Sequence, residues 1–220
     1  MTPALPKVVS EFNSIVKEIE VLLSIARSSS LQQEARVTLE AESRLLATEK
    51  AKAVEQSDED LANLLLGCQC VNASLLAELR MWLLLKDERP DDAWDQLILA
   101  QDSAIDATRA HAGFSHLIHQ NAKLEAIEHL VFPPQVFISS GFLAANQECS
   151  ICGMEYGECD HLLGKPYAGK FCHIIARNLS VDHVAIVKAP ADKRCRVRSF
   201  SVEGGNRSRM TWEVSKSEEE

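Results

Sequence analysis

Cys149-Ser-Ile-Cys152-Gly-Met-Glu-Tyr-Gly-Glu-Cys159-Asp-His161 places three thiols and an imidazole in thirteen residues, with the spacing C-x2-C-x6-C-x-H. Gly153 directly follows the first pair, which gives this stretch the form of a zinc knuckle. In such a turn backbone N–H groups point at the thiolates, and glycine lacks the Cβ that would obstruct it. Three thiolates and one imidazole fill a tetrahedral shell and leave no position for water or substrate, which favours a structural over a catalytic zinc. The expected ligands are Cys149, Cys152, Cys159 and His161. Should His161 point away, Cys172 is the natural fourth ligand and the site becomes all-thiolate. Redox work at Cys149 and Cys152 is disfavoured, because C-x-x-C is not set here between a strand and a helix.

The sequence around the motif reads as β structure. Residues 135–144, after Pro133-Pro134, are rich in β-branched and aromatic side chains, with Gly141 marking a kink or bulge. Residues 171–177 suggest a short helix, 181–187 and 194–202 two strands, and 210–214 a fourth. So few short strands bury too little surface to offset chain entropy comfortably, and a bound zinc would supply the missing stabilisation. Cys195, in an expected strand, reads as a buried thiol.

Upstream the pattern is helical. Apolar residues keep helical spacing over residues 7–27, and a polar helix over 31–54 shows a narrow stripe through Leu39, Leu45 and Leu46. Ser57-Asp-Glu-Asp60 starts a leucine-rich helix to residue 85, and Pro90 suits the first turn of a fourth. A fifth covers residues 114–130. Short connections imply an antiparallel bundle. His111, His116, His119 and His129 fall in one stretch without the Glu-x-x-His partner a helical metal site uses, so they read as surface or interface residues. Cys68 and Cys70, two apart on a helix, diverge and read as buried thiols.

The chain has 220 residues and a net charge of −9. That charge is uneven: residues 1–148 balance to −10 and residues 149–220 to +1, which supports a boundary before the motif. Seven cysteines, an odd number, fit a reducing compartment with metal-bound or buried thiols better than a disulfide framework. No secretory signal or membrane-spanning run is read, so the expected location is cytoplasmic. Arg194, Arg196 and Arg198 alternate along an expected strand, which would set three guanidinium groups on one face as a phosphate-binding stripe. The acidic total favours instead a solvated face or pairing with the acidic helical part.

Two short segments carry a resemblance. Ser139-Ser140-Gly141-Phe142 is similar to the S-x-G-F strand of phage prohead proteases. His183-Val-Ala-Ile-Val187-Lys-Ala-Pro-Ala-Asp192 is similar to their later E-V-S-x-V-x-x-P-A-N strand. About 60 residues resemble a zinc-containing β module of phage-associated proteins, and the resemblance implies Ser139 as a nucleophile. Its histidine base should come from an earlier strand, whereas everything before Pro133 reads as helix.

The chain is therefore read as α+β. A helical bundle (residues 1–132) precedes a zinc-binding β module (133–214) and a disordered acidic tail (215–220). The favoured function is a non-enzymatic interaction or assembly protein, for which the resemblance implies a phage or prophage origin. Its structural zinc is the cofactor, and the helical part meets a protein partner or a second copy. A serine protease-like enzyme using Ser139 or Ser140, and a nucleic-acid binder, are the alternatives.

Overall fold

A computed structural model describes residues 6–216. Five α-helices come first: α1 (Lys7–Glu20), α2 (Ser29–Glu55), α3 (Glu59–Lys86), α4 (Pro90–Ala110) and α5 (Ile118–Val131), with a 3-10 turn, Ala112–Leu117, before the last. The strands follow: β1 (Phe137–Cys149), β2 (Pro166–Tyr167), β3 (Lys170–Phe171), β4 (Ile174–Val187), β5 (Ser199–Val202), β6 (Gly205–Ser208) and β7 (Val214–Ser215). The α+β architecture expected from the sequence is present.

α3 is the centre of the helical part. Asp58 caps it, its side chain accepting from the Leu61 N–H, with Glu59 and Asp60 in the first turn near the positive end of the helix dipole. Its apolar residues leave no polar face, so neighbours must cover it on all sides. Leu65, Cys68, Leu75 and Leu79 pack with α1 and α2, while Ala77, Met81 and Trp82 pack with α4 and α5. Among the described residues α3 is the one helix long and apolar enough to cross a membrane, and it is the core helix of this bundle. Within it Glu78 is fully buried, accepting from Lys123 Nζ (2.8 Å), Gln120 Nε2 (3.1 Å) and Trp82 Nε1 (3.4 Å). That pairing answers the cost of desolvating a carboxylate.

β1 and β4 form a long antiparallel ribbon whose register shifts between Gly141 and Phe142, so that Asp182 is the extra residue of a bulge. Before the bulge Ile138 faces Ile186 and Ser140 faces Val184; after it Phe142 faces Val181 and Ala144 faces Leu179. The bulge keeps all eight uncharged side chains on one open face, which continues into the Arg177–Glu148 pair: Ile186 is 77% and Val181 67% exposed. A ribbon without it would turn Val181 and Leu179 to the other side. At Gly141 the exposed His183 ring lies across the backbone, and any side chain there would have to displace it. A Cβ there would stand 2.5 Å from His183 Cε1.

Several expectations need correcting. Residues 171–177 are not a helix but β3 and the start of β4, because Ile174 to Arg177 pair with Cys149 to Asn146. Residues 194–198 form a loop. It lies along the edge of β1, with the Ile138 N–H donating to the Cys195 carbonyl and the Val197 N–H to that of Val136. This phase turns Arg196 inward and leaves Cys195 exposed, not buried as expected. Arg196 reaches Asp91 and stacks 5.7 Å above the Trp94 ring, Arg198 pairs with Asp95 at 3.1 Å, and Arg194 pairs with Asp192 at 2.8 Å. The arginines thus meet carboxylates, two of them on α4, rather than forming a free stripe. Ser215, assigned to the tail, is paired in β7; residues 217–220 lie outside the described residues.

Trp94 joins the helices to the ribbon. It is 2% exposed, meets Phe132 edge-on at 5.4 Å and Phe137 at 6.3 Å, and donates its indole N–H to the Lys193 carbonyl. Trp94→Ala should cost about 3–5 kcal/mol, measured by chemical denaturation. A loss below about 1 kcal/mol would show that this junction is not part of the cooperative core.

Candidate metal centre

The knuckle forms where β1 ends. The Gly153 N–H donates to the Cys149 carbonyl (2.8 Å), and the Cys149 N–H donates to that of Met154 (2.8 Å). Gly153 has φ +73°, and the Ile151 N–H points at Cys149 Sγ (3.4 Å). The next loop is held by two tyrosines, Tyr156 Oη accepting from the Leu163 N–H (3.0 Å) and Tyr167 Oη from the Leu162 N–H (2.9 Å). These clamps bring back the stretch bearing Cys159 and His161.

One ligand atom from each of Cys149, Cys152, Cys159 and His161 lies within 4.8 Å of the others. Such a group could hold a metal ion. It is the one set of three or more metal-ligating side chains found among the described residues. Cys149 is buried and Cys152 exposed, with Cys159 and His161 between. His161 meets Tyr167 edge-on at 4.6 Å, and its Nδ1 is buried without a hydrogen-bond partner. A buried ring nitrogen without a partner, on a histidine gathered with three thiols, suits a cation.

Cys172 also reaches this place. It is fully buried and its Sγ is 3.7 Å from Cys149 Sγ. It sits just past the β2–β3 hairpin, whose two-residue turn has φ +44° at Ala168 and +74° at Gly169, as a type I′ turn requires. That turn docks on the corner between α2 and α3. The Gly169 N–H donates to Asn63 Oδ1 (2.8 Å), the Ala168 N–H to Glu59 Oε1 (3.2 Å), and Lys50 Nζ to the Gly169 carbonyl (3.0 Å).

The thiols are electrostatically unequal. Burial raises the Cys149 pKa, but hydrogen bonds from the N–H groups of Cys152 and Ile151 and from the thiols of Cys152 and Cys159 outweigh it, leaving a value of about 6. Burial, then the Cys149 and Cys152 sulfurs, push Cys159 up to about 11 against the His161 N–H. Burial and the Cys149 sulfur raise Cys172 also. Cys149 is thus the group of the three that ionises most readily, and Cys159 and Cys172 hold their protons more tightly than free thiols.

The other candidate groups stay apart. Cys68 and Cys70 are pushed up to about 12, chiefly by burial, and are inert thiols in the bundle. His111 Nδ1 accepts from the Gly113 N–H, and His116 Nδ1 lies 3.1 Å from the Gly113 carbonyl. Ser139 and Ser140 lie on β1 beside a cleft lined by Phe142, Pro190, Asp192 and Arg194. His183 holds Asp182 at 2.9 Å across from Gly141, yet among the described residues neither serine hydroxyl is hydrogen-bonded to an imidazole. Sequence reading missed His183 as the histidine beside Gly141; the short spacing from Val181 to Val187, opposite residues 137–142, was the available signal.

Comparison with protein-family models, with curated proteins and with solved structures finds no match. Function must therefore be read from the residues.

Because Cys159 keeps its proton well above neutrality, binding of a divalent cation should release at least one proton. Affinity should then rise about tenfold per pH unit between pH 6 and 8 for each proton released, as read by chelator competition. A pH-independent affinity would contradict this arrangement of thiols.

Proposed function

We propose that this chain is a non-enzymatic interaction or assembly protein whose β region is fastened by a structural zinc on Cys149, Cys152, Cys159 and His161. The observation that carries the reading is the convergence of those four donors within 4.8 Å. A set dominated by thiolates selects zinc over magnesium or calcium, and four protein ligands leave no site for a reacting water. Structural zinc in small peptides contributes about 10–16 kcal/mol. That matches the whole stability of an ordinary domain, about 5–15 kcal/mol. A two-stranded ribbon is marginal alone, so a contribution of this size decides whether it persists.

The interaction reading is supported by the open ribbon face of Ile138, Phe142, Leu179, Val181, Val184 and Ile186. Exposed apolar surface of this continuity marks a contact site. We take the occupant to be a second copy of the chain. These side chains are uncharged and the Arg177–Glu148 pair further along the same face is balanced, so two copies of net charge −9 meet there without an excess of like charge. The expected partner surface on the helical part gives way to the ribbon in this reading.

Zinc analysis of the purified full chain should give close to one ion per chain, and a value well below one overturns the central claim. Cys152→Ser should lose the zinc and loosen the β region while most of the helical circular dichroism remains; simultaneous loss of both would mean one cooperative unit. In sedimentation the wild type should run as a dimer and Val184→Asp as a monomer. A monomeric wild type, or a Val184→Asp variant that still dimerises, removes the self-association claim.

A further inference from the structure

Four donors gather within 4.8 Å of one another, as many as a tetrahedral ion takes, and a fifth group, the Cys172 sulfur, lies 3.7 Å from Cys149 Sγ. The fifth, Cys172, is not a stray core cysteine. Its N–H donates to the Lys165 carbonyl and its own carbonyl accepts from the Gly164 N–H, both at 2.9 Å. Its neighbours are tied to the knuckle. The Ser150 N–H donates to the His173 carbonyl (2.9 Å), and the His173 N–H donates to Ser150 Oγ (2.8 Å). Two turns thus face each other, one presenting Cys149 and Cys152, the other Cys172.

The spacing fits a shared ion. Zinc–sulfur bonds of about 2.3 Å at tetrahedral angles set two sulfurs about 3.8 Å apart, and Cys149 Sγ and Cys172 Sγ are 3.7 Å apart. Among the described residues Cys149 is the one hydrogen-bond partner of the buried Cys172 thiol. His161 is the other candidate for that position: its Nδ1 is buried and unpartnered, and its ring rests edge-on against Tyr167.

We propose that Cys172 is a ligand of the same ion, and that Cys172 and His161 share the fourth position beside Cys149, Cys152 and Cys159. This rests on the metal-binding reading above. Exchange forms one metal–sulfur bond as one metal–nitrogen bond breaks, and the thiol proton passes to the released imidazole. The ion keeps four ligands at the end of each exchange. The site then carries its own route for ligand replacement, on the side of the ion nearest the α2–α3 corner.

The test uses the full chain loaded with cobalt(II) in place of zinc, comparing wild type, Cys172→Ser, His161→Ala and the double variant. Near-ultraviolet charge-transfer intensity reports the number of thiolates, and chelator competition reports affinity. Each single variant should bind one cobalt with about tenfold weaker affinity, and the double variant should lose more than about a hundredfold. Charge-transfer intensity should fall in Cys172→Ser and rise in His161→Ala. An unchanged spectrum and affinity in Cys172→Ser would overturn the assignment. If Cys172→Ser fails to fold, His161→Ala decides: a rise in thiolate intensity supports the sharing, and an unchanged spectrum or a complete loss of cobalt overturns it. A wild type that takes up no cobalt removes the metal-binding reading itself, an outcome separate from any variant's.

Discussion

A two-stranded ribbon cannot cover its own faces, and that constraint organises the structure downstream of the helices. β1 and β4 pair with each other over almost their whole lengths, and their outward face stays open. What holds them lies at the ends. Where Phe137 meets Val187, Trp94 and Arg196 pin the ribbon to α4. Where Cys149 meets Ile174, the sulfur cluster gathers. Between these fasteners the bulge at Asp182 fixes which side chains are exposed together. A ribbon held only in the middle would fray at both ends, since terminal pairs lack neighbours to support them.

The helical part was largely legible in the sequence because its signals are local. Asp58 caps α3, Pro90 opens α4, and the apolar periodicity of α1 places Phe12 and Ile19 in the core. The β region was less legible because its determinants are distant. Ile174-Ile175-Ala176 reads as a helical turn in isolation, and only pairing with residues 147–149 makes it a strand. The strand expected over residues 194–198 failed for a related reason, although the pairing with the acidic helical part that the charge balance favoured is present. Alternation along residues 194–198 was real, but the register against β1 turned Arg196 into the protein, where Asp91 and Trp94 receive it. A phase error of one residue exchanges inside for outside.

The candidate site divides in the same way. Cys149, Cys152, Cys159 and His161 were legible from spacing because thirteen residues cannot spread far. Cys172 comes close through partners distant in sequence: Cys149 pairs with Ile174, Ser150 bonds His173, and the β2–β3 turn docks on helices more than a hundred residues earlier through Lys50, Glu59 and Asn63. Gly169 is essential to that approach. A Cβ there would stand 3.0 Å from Lys50 Cδ and 3.3 Å from the Ala62 carbonyl, at a φ that side chains rarely accept. The sequence around Cys172 shows a turn but does not show what the turn rests on.

This docking also says where loss of the proposed ion would be felt. The turn keeps three hydrogen bonds to the α2–α3 corner that need no metal. Each is worth about 0.5–3 kcal/mol, those to charged groups lying at the upper end. Together they fall short of the 10–16 kcal/mol attributed to a structural zinc, yet they suffice to keep the hairpin near the helices. Among the described residues the loop of Cys159 and His161 makes no hydrogen bond to the helices; Tyr156 and Tyr167 tie it within the same small region. Without the ion, disorder should therefore begin in residues 156–163 and pass into β1 at Cys149, while the hairpin carrying Cys172 stays on the bundle. The metal in this reading does less to attach the β region to the helices than to close that region upon itself.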